Sequence, residues 1–138
     1  MQTDTTVGFV SQESSKLYKI KSRDTNKPFI KVYPTLKECI NDGYRIPNNM
    51  KNIVRRSKKT TFIIKNRAFR VAQHNLDSQI LRDTKWCYST SANESGKNFD
   101  IGFCQDKADI IIQDKYGLYE NTSSKLFKIN NTKRVKIR

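Results

Sequence analysis

Three observations predict an α/β fold for this 138-residue chain. Short apolar runs rich in β-branched and aromatic residues, such as residues 60–64 and 68–71, recur along it and read as strands. Segments with helical spacing and cap chemistry separate them, Thr35-Leu36-Lys37-Glu38 being the clearest. Two closely spaced runs within residues 125–138 add an antiparallel pair at the end.

Taken in order, residues 5–10 are expected to form a short buried strand. Residues 11–20 read as a helix with Leu17 and Ile20 on one side. A polar, basic loop over 21–28 leads to a strand through Phe29, Ile30, Val32 and Tyr33. The capping box at Thr35 then opens a short helix that Gly43 would stop. A further helix runs from Pro47 to about Arg56 and carries much positive charge. Strands 60–64 and 68–71 would be joined by Asn66-Arg67. A helix over about 76–81 precedes the apolar Trp86-Cys87-Tyr88 and the turn-like Ser89-Thr90-Ser91-Ala92-Asn93-Glu94-Ser95-Gly96. A short polar helix or loop, a strand over 109–112, and closing strands over 125–129 and 134–137 complete the reading. With no internal repeat and no low-complexity linker, residues 1–138 are expected to be a single domain with one core.

The charge is strongly basic, 27 Lys+Arg against 13 Asp+Glu, a net +14. It is also uneven: no acid lies between Asp42 and Asp77, an interval holding nine cations from Arg45 to Arg70. Polyanions are the natural partners, whether nucleic acid, nucleotide or an acidic membrane surface. Cys39, Cys87 and Cys104 form no C-x-x-C pair and His74 stands alone, which excludes a zinc site and a Cys/His dyad. Free thiols and the lack of an apolar leader or membrane-length run point to a cytoplasmic protein with no membrane attachment. Gly96-Lys97 is not a P-loop, because Ser91 stands where the motif needs glycine and Asn98 follows the lysine.

The serine-rich run places hydroxyls and backbone N–H groups at a strand end, where phosphate or carboxylate oxygens are bound in open α/β sheets. Three other segments accompany it. Gln2-Thr3-Asp4-Thr5-Thr6-Val7-Gly8-Phe9 resembles the P-T-D-T-x-Y-G-L opening of the YrdC-like family, the threonylcarbamoyl-AMP synthases. Residues 21–29 resemble its K-x-R-x-x-x-K-P loop, and 89–96 its S-x-T-S-A-N-x-S-G signature. Ser123-Ser124-Lys125-Leu126-Phe127 and the closing Ile137-Arg138 are similar to its late segments.

The resemblance implies a YrdC-like twisted open mixed sheet with flanking helices and a basic concave face. It implies an L-threonylcarbamoyladenylate synthase, a nucleotidyltransferase joining L-threonine, bicarbonate and ATP with release of pyrophosphate, for tRNA threonylcarbamoyladenosine modification. By resemblance, Lys21 and Arg23 clamp the triphosphate and serve as the catalytic cations. ATP also meets Thr61, Ser91, Asn93 and Arg138. Thr3, Arg70 and Ser124 hold threonine, while Asp4 orients Thr3 or a cation or sits as a strand-end carboxylate. No protein metal ligands are assigned; Mg2+ would accompany ATP, held by phosphates and water. Implied partners are tRNA or other RNA through the basic surface and downstream threonylcarbamoyl-transfer proteins.

Gln2, Val7, Asp24, Ser57-Lys58-Lys59 and Ala72 depart from the family pattern. They keep two alternatives open: a non-catalytic relative that binds double-stranded RNA or tRNA, and a carbamoyl-adenylate former with a different acceptor.

Overall fold

The computed structural model of the chain describes residues 1–22, 24, 26–72 and 76–138. Its strands are β1 (Gly8–Ser11), β2 (Ile30–Tyr33), β3 (Thr60–Ile64), β4 (Arg67–Val71), β5 (Cys87–Ser91), β6 (Lys125–Ile129) and β7 (Arg134–Lys136). Its helices are α1 (Ser14–Lys21), α2 (Leu36–Asn41), α3 (Asn48–Arg56), α4 (Leu76–Thr84) and α5 (Ile101–Lys107). The strands form one open mixed sheet in the order β1-β5-β2-β4-β3-β6-β7. The pairs β2–β4 and β3–β6 are parallel and the others antiparallel.

Side chains alternate across a strand, so the register sorts residues onto two faces. One face gathers Tyr33, Phe62, Ile64, Phe69, Val71 and Ile129, and α2 and α3 cover it with Leu36, Cys39, Met50 and Val54. Met50, Ile53 and Val54 lie three and four residues apart, which puts them on one stripe of α3. Tyr33, Phe62 and Phe69 are fully buried, each stabilising by roughly 1.5–3 kcal/mol. A second cluster joins Phe9 of β1 to Leu17 of α1 and Cys104 of α5. The opposite face buries less. There α4 sets Leu81 against Val32 and Cys87, with Ala72 beside them.

Local signals hold where they were read. Thr35 caps α2, its hydroxyl accepting from the Glu38 N–H at 3.2 Å, and Gly43 sits at φ +87°, a left-handed conformation that suits glycine after the helix. Other readings change. The opening strand spans Gly8–Ser11 instead of 5–10, because the Thr3 hydroxyl draws residues 3–6 into a turn: it donates to the Thr6 carbonyl at 2.6 Å. The β3–β4 turn is Lys65-Asn66, both at positive φ, one residue earlier than Asn66-Arg67. Residues 109–112 form no strand. At the outer edge of β1 the Gly8 backbone groups pair with Met1 instead, and Ile110 is left 76% exposed. Strand β5 takes in the first three residues of the serine-rich run.

A polar cluster completes the covered face. Lys31 Nζ donates to Asp42 Oδ2 at 2.7 Å and the Tyr33 hydroxyl donates to the same oxygen at 2.5 Å. Lys31 also lies 3.6 Å from the centre of the Trp86 ring. Burial works to raise the Asp42 carboxyl, but the Lys31 and Tyr33 hydrogen bonds and the charges of Lys31 and Arg67 hold it below the usual carboxylate range. Burial, followed by the Asp42 contact, pushes the Tyr33 hydroxyl far up, and burial raises the Cys39 thiol to about 12.

Since Asp42 is depressed in the folded state, its contribution is complete above the unfolded value of about 3.9 and is lost as pH falls through the lower, folded value. Asp42→Asn is therefore expected to destabilise the protein at pH 7. Urea titrations from pH 7 downward should show the difference from wild type closing once the pH drops below about 4.

Candidate active site

Alternation also decides what the open face carries at its centre. Ser89 and Ser91 on β5, Arg70 on β4 and Thr61 on β3 all point to it, opposite the aromatic core. Three of these sit beside an open cavity of about 290 Å3, which also meets Thr3, Val7, Ser124 and Arg138.

Arg70 organises the site. Its side chain is buried and one terminal nitrogen donates to Asp4 Oδ1 at 2.8 Å and to the Thr5 hydroxyl at 2.9 Å. The other donates to the Thr61 hydroxyl at 3.1 Å, which shares a 3.0 Å hydrogen bond with the Ser124 hydroxyl. Asp4 Oδ2 accepts from the Lys59 N–H at 3.2 Å. One guanidinium thus links the first residues, β4, β3 and the approach to β6. Its Nε is buried with no hydrogen-bond partner among the described residues.

Thr3 anchors the adjoining turn, accepting from the Thr5 and Thr6 N–H groups at 3.3 Å. Gly8 permits the close approach of this turn to the sheet: a Cβ there would meet Thr3 Cγ2 at 3.0 Å and the Thr90 carbonyl at 3.3 Å. On the far side, Arg138 donates to the Ser124 carbonyl at 3.3 Å.

The sequence-derived residues divide into two groups. Thr3, Arg70, Ser91, Ser124 and Arg138, drawn from five separate segments, line the cavity. Thr61 stands behind it, fully buried, as the link between Arg70 and Ser124. Lys21 and Asn93 are outside the lining. Lys21 Nζ donates to the Ser91 carbonyl at 3.1 Å, to Asn93 Oδ1 at 3.0 Å and to the Asn93 carbonyl. Asn93 in turn donates to the Lys97 carbonyl. The ammonium therefore holds the serine-rich turn from behind. Arg23 lies outside the described residues.

Asp4 proves to be the partner of Arg70, one of the roles open to it in the sequence. Two contributions were not among the sequence-derived site residues. Gln2, at a position where the family resemblance expects proline, accepts the Tyr119 N–H at 3.0 Å, a contact 117 residues apart in sequence. Ser89, in the lining, could have been found by its period-two spacing from Ser91.

Chemically, the cavity offers hydroxyl donors, one guanidinium compensated by Asp4, and the Arg138 cation at its rim. Such a set binds anionic oxygen atoms.

Residues 1–137 match the Sua5/YciO/YrdC family, described as telomere recombination, and the chain belongs to that family. No curated protein sequence matches it. Among solved structures, it is similar to a doubly substituted Sua5 from P. abyssi, with TM-score 0.70 and 15% identity, over 97% of this chain and 50% of the other. It is also similar to the MTH1692 protein from Methanobacterium thermoautotrophicum, with TM-score 0.64 and 19% identity, over 91% of this chain and 72% of that one. This chain thus spans half the length of the Sua5 it superposes on. The fold is the one expected, an α/β open mixed sheet with flanking helices.

Asp4→Ala would leave the Arg70 guanidinium buried without its counter-charge. A loss of about 3–5 kcal/mol in unfolding free energy is expected, as for other broken buried pairs. Urea denaturation measures it, and a loss under about 1 kcal/mol would show that the pair does not hold the site together.

Proposed function

We propose that the chain is an L-threonylcarbamoyladenylate synthase. The observation that carries this reading is the convergence of Thr3, Arg70, Ser91, Ser124 and Arg138 on one cavity. The family resemblance assigns each of them to threonine or ATP. The cavity is near the lower end of small-molecule sites, which run about 300–1,000 Å3, so the nucleotide would extend beyond it over the Ser91–Asn93 turn.

In the proposed reaction the threonine amine attacks the carbon of bicarbonate and water leaves, giving a carbamate. A carbamate oxygen then attacks the α-phosphorus of ATP, its bond to the β-phosphate oxygen breaks, and pyrophosphate departs. No protein nucleophile is required. Positioning supplies the advantage, worth about 7–11 kcal/mol in well-oriented cases, together with fixed charge where phosphate oxygens gain charge. Ser91 and Asn93 would meet the α-phosphate, and Arg138 the nucleotide. Ser124 and Thr3 would meet threonine, with the Arg70 guanidinium that borders the cavity facing its carboxylate as a positive charge. Lys21 would act through the turn it holds, its charge lying behind the bound phosphate. Mg2+ would arrive with ATP and neutralise its phosphates. The product would pass to a threonylcarbamoyl-transfer partner and tRNA.

A second reading, a non-catalytic RNA-binding relative, is favoured by the position of Lys21, engaged by turn carbonyls. Val7, buried beside the cavity where the family has tyrosine, also favours it.

Pyrophosphate release from ATP is expected only when L-threonine and bicarbonate are both present, with threonylcarbamoyl-adenylate detected by mass spectrometry. Lys21→Ala should weaken ATP binding by loosening the turn. Release that does not depend on threonine, or no release despite intact ATP binding, overturns the synthase reading.

A further inference from the structure

We propose a second binding site, for phosphate groups, in the groove at the carboxyl ends of β2 and β4. These strands lie side by side and parallel. After β2 the chain passes to α2, which packs with Tyr33 and Phe69 on the covered face. After β4 it passes to α4, whose Leu81 packs with Val32 and Cys87 on the open face. Parallel neighbours whose connections leave to opposite faces form a topological switch point. The crevice outside their carboxyl ends is where open α/β sheets bind ligands.

Here the crevice has a volume of about 680 Å3, the size of a small-molecule site. Lys37 of α2, Arg55 and Arg56 of α3 and Arg82 of α4 line it, with Thr35 and Ser78, and none of the described lining residues is acidic. Helix electrostatics accounts for only some of these cations. Arg55, Arg56 and Arg82 stand in last turns, where positive charge offsets the macrodipole. Lys37 is in the first turn of α2, where a cation is disfavoured, yet it faces the same groove.

The lining sets the ligand class. No aromatic side chain is among the described lining residues, so these offer no platform for stacking a base. Guanidinium forks and an ammonium match phosphate oxygens, and several cations call for more than one phosphate group. The groove shares no lining residue with the cavity on the open face, so the proposal does not depend on the synthase reading. An RNA backbone and a free polyphosphate present the same chemistry.

The test titrates the full chain with tripolyphosphate and, separately, with a labelled RNA hairpin at two salt concentrations. Lys37→Gln/Arg82→Gln alters two walls of the groove, while Lys128→Gln/Lys133→Gln removes the same charge from exposed positions on β6 and the β6–β7 turn. At least one probe is expected to bind wild type, and the groove variant should lose about tenfold or more in affinity with the control nearly unchanged. For RNA, the salt slope should also fall by about two. Tripolyphosphate alone binding in this way identifies a free polyphosphate, and the hairpin alone identifies a backbone; either result upholds the site. Should the groove double variant melt early, Arg56→Gln is read against Lys128→Gln in the same assays. Failure of both probes to bind wild type, or an equal loss in the control, overturns the proposal.

Discussion

The pairing of Arg70 with Asp4 is the constraint on which the rest of the site depends. A guanidinium on a central strand, facing the less covered side of the sheet, would be costly to bury alone. Asp4 compensates it, and the Thr5 and Thr61 hydroxyls accept two more of its terminal hydrogen bonds. The same contacts fasten the opening residues over β4 and bring Ser124 against Thr61. Cavity walls far apart in sequence thereby become one surface. The hydroxyls that hold Arg70 in place are also neighbours of the space it borders.

This polarity is affordable because the other face is so apolar. Stability is concentrated beneath α2 and α3, where Tyr33, Phe69, Phe62 and Phe127 from four neighbouring strands form a chain of ring contacts, with Tyr44 between the first two. The open face is left to hydroxyls, Arg70 and a small patch under α4. A one-residue slip in β3 or β4 would exchange the two, placing Phe62 or Phe69 in the cavity and Thr61 or Arg70 in the core. Register, set by the two-residue Lys65-Asn66 turn, is therefore a functional property here.

Much of the fold was legible because its signals are local. The Thr35 cap, the Gly43 stop and the strand at 60–64 depend on neighbours within a few residues, and each stands where it was read. Misreadings arose where a distant partner decides. Residues 109–112 have strand composition, but Met1 occupies the backbone groups of Gly8. Within the candidate site, the motif residues came from family resemblance, and their convergence could not be seen in one dimension. Lys21 is the instructive case: its position near the serine-rich turn was foreseeable, but not that its ammonium would bind the turn's carbonyls from behind.

The three cysteines are distributed one to each apolar cluster, Cys39 beneath α2 and α3, Cys104 near β1 and Cys87 under α4. All three are buried, and burial raises the Cys39 and Cys104 thiols away from the reactive thiolate. Each can meet an alkylating reagent only when its own cluster opens. The chain thus carries three internal clocks, and their relative rates of labelling distinguish loosening of the ligand-facing side from collapse of the whole fold.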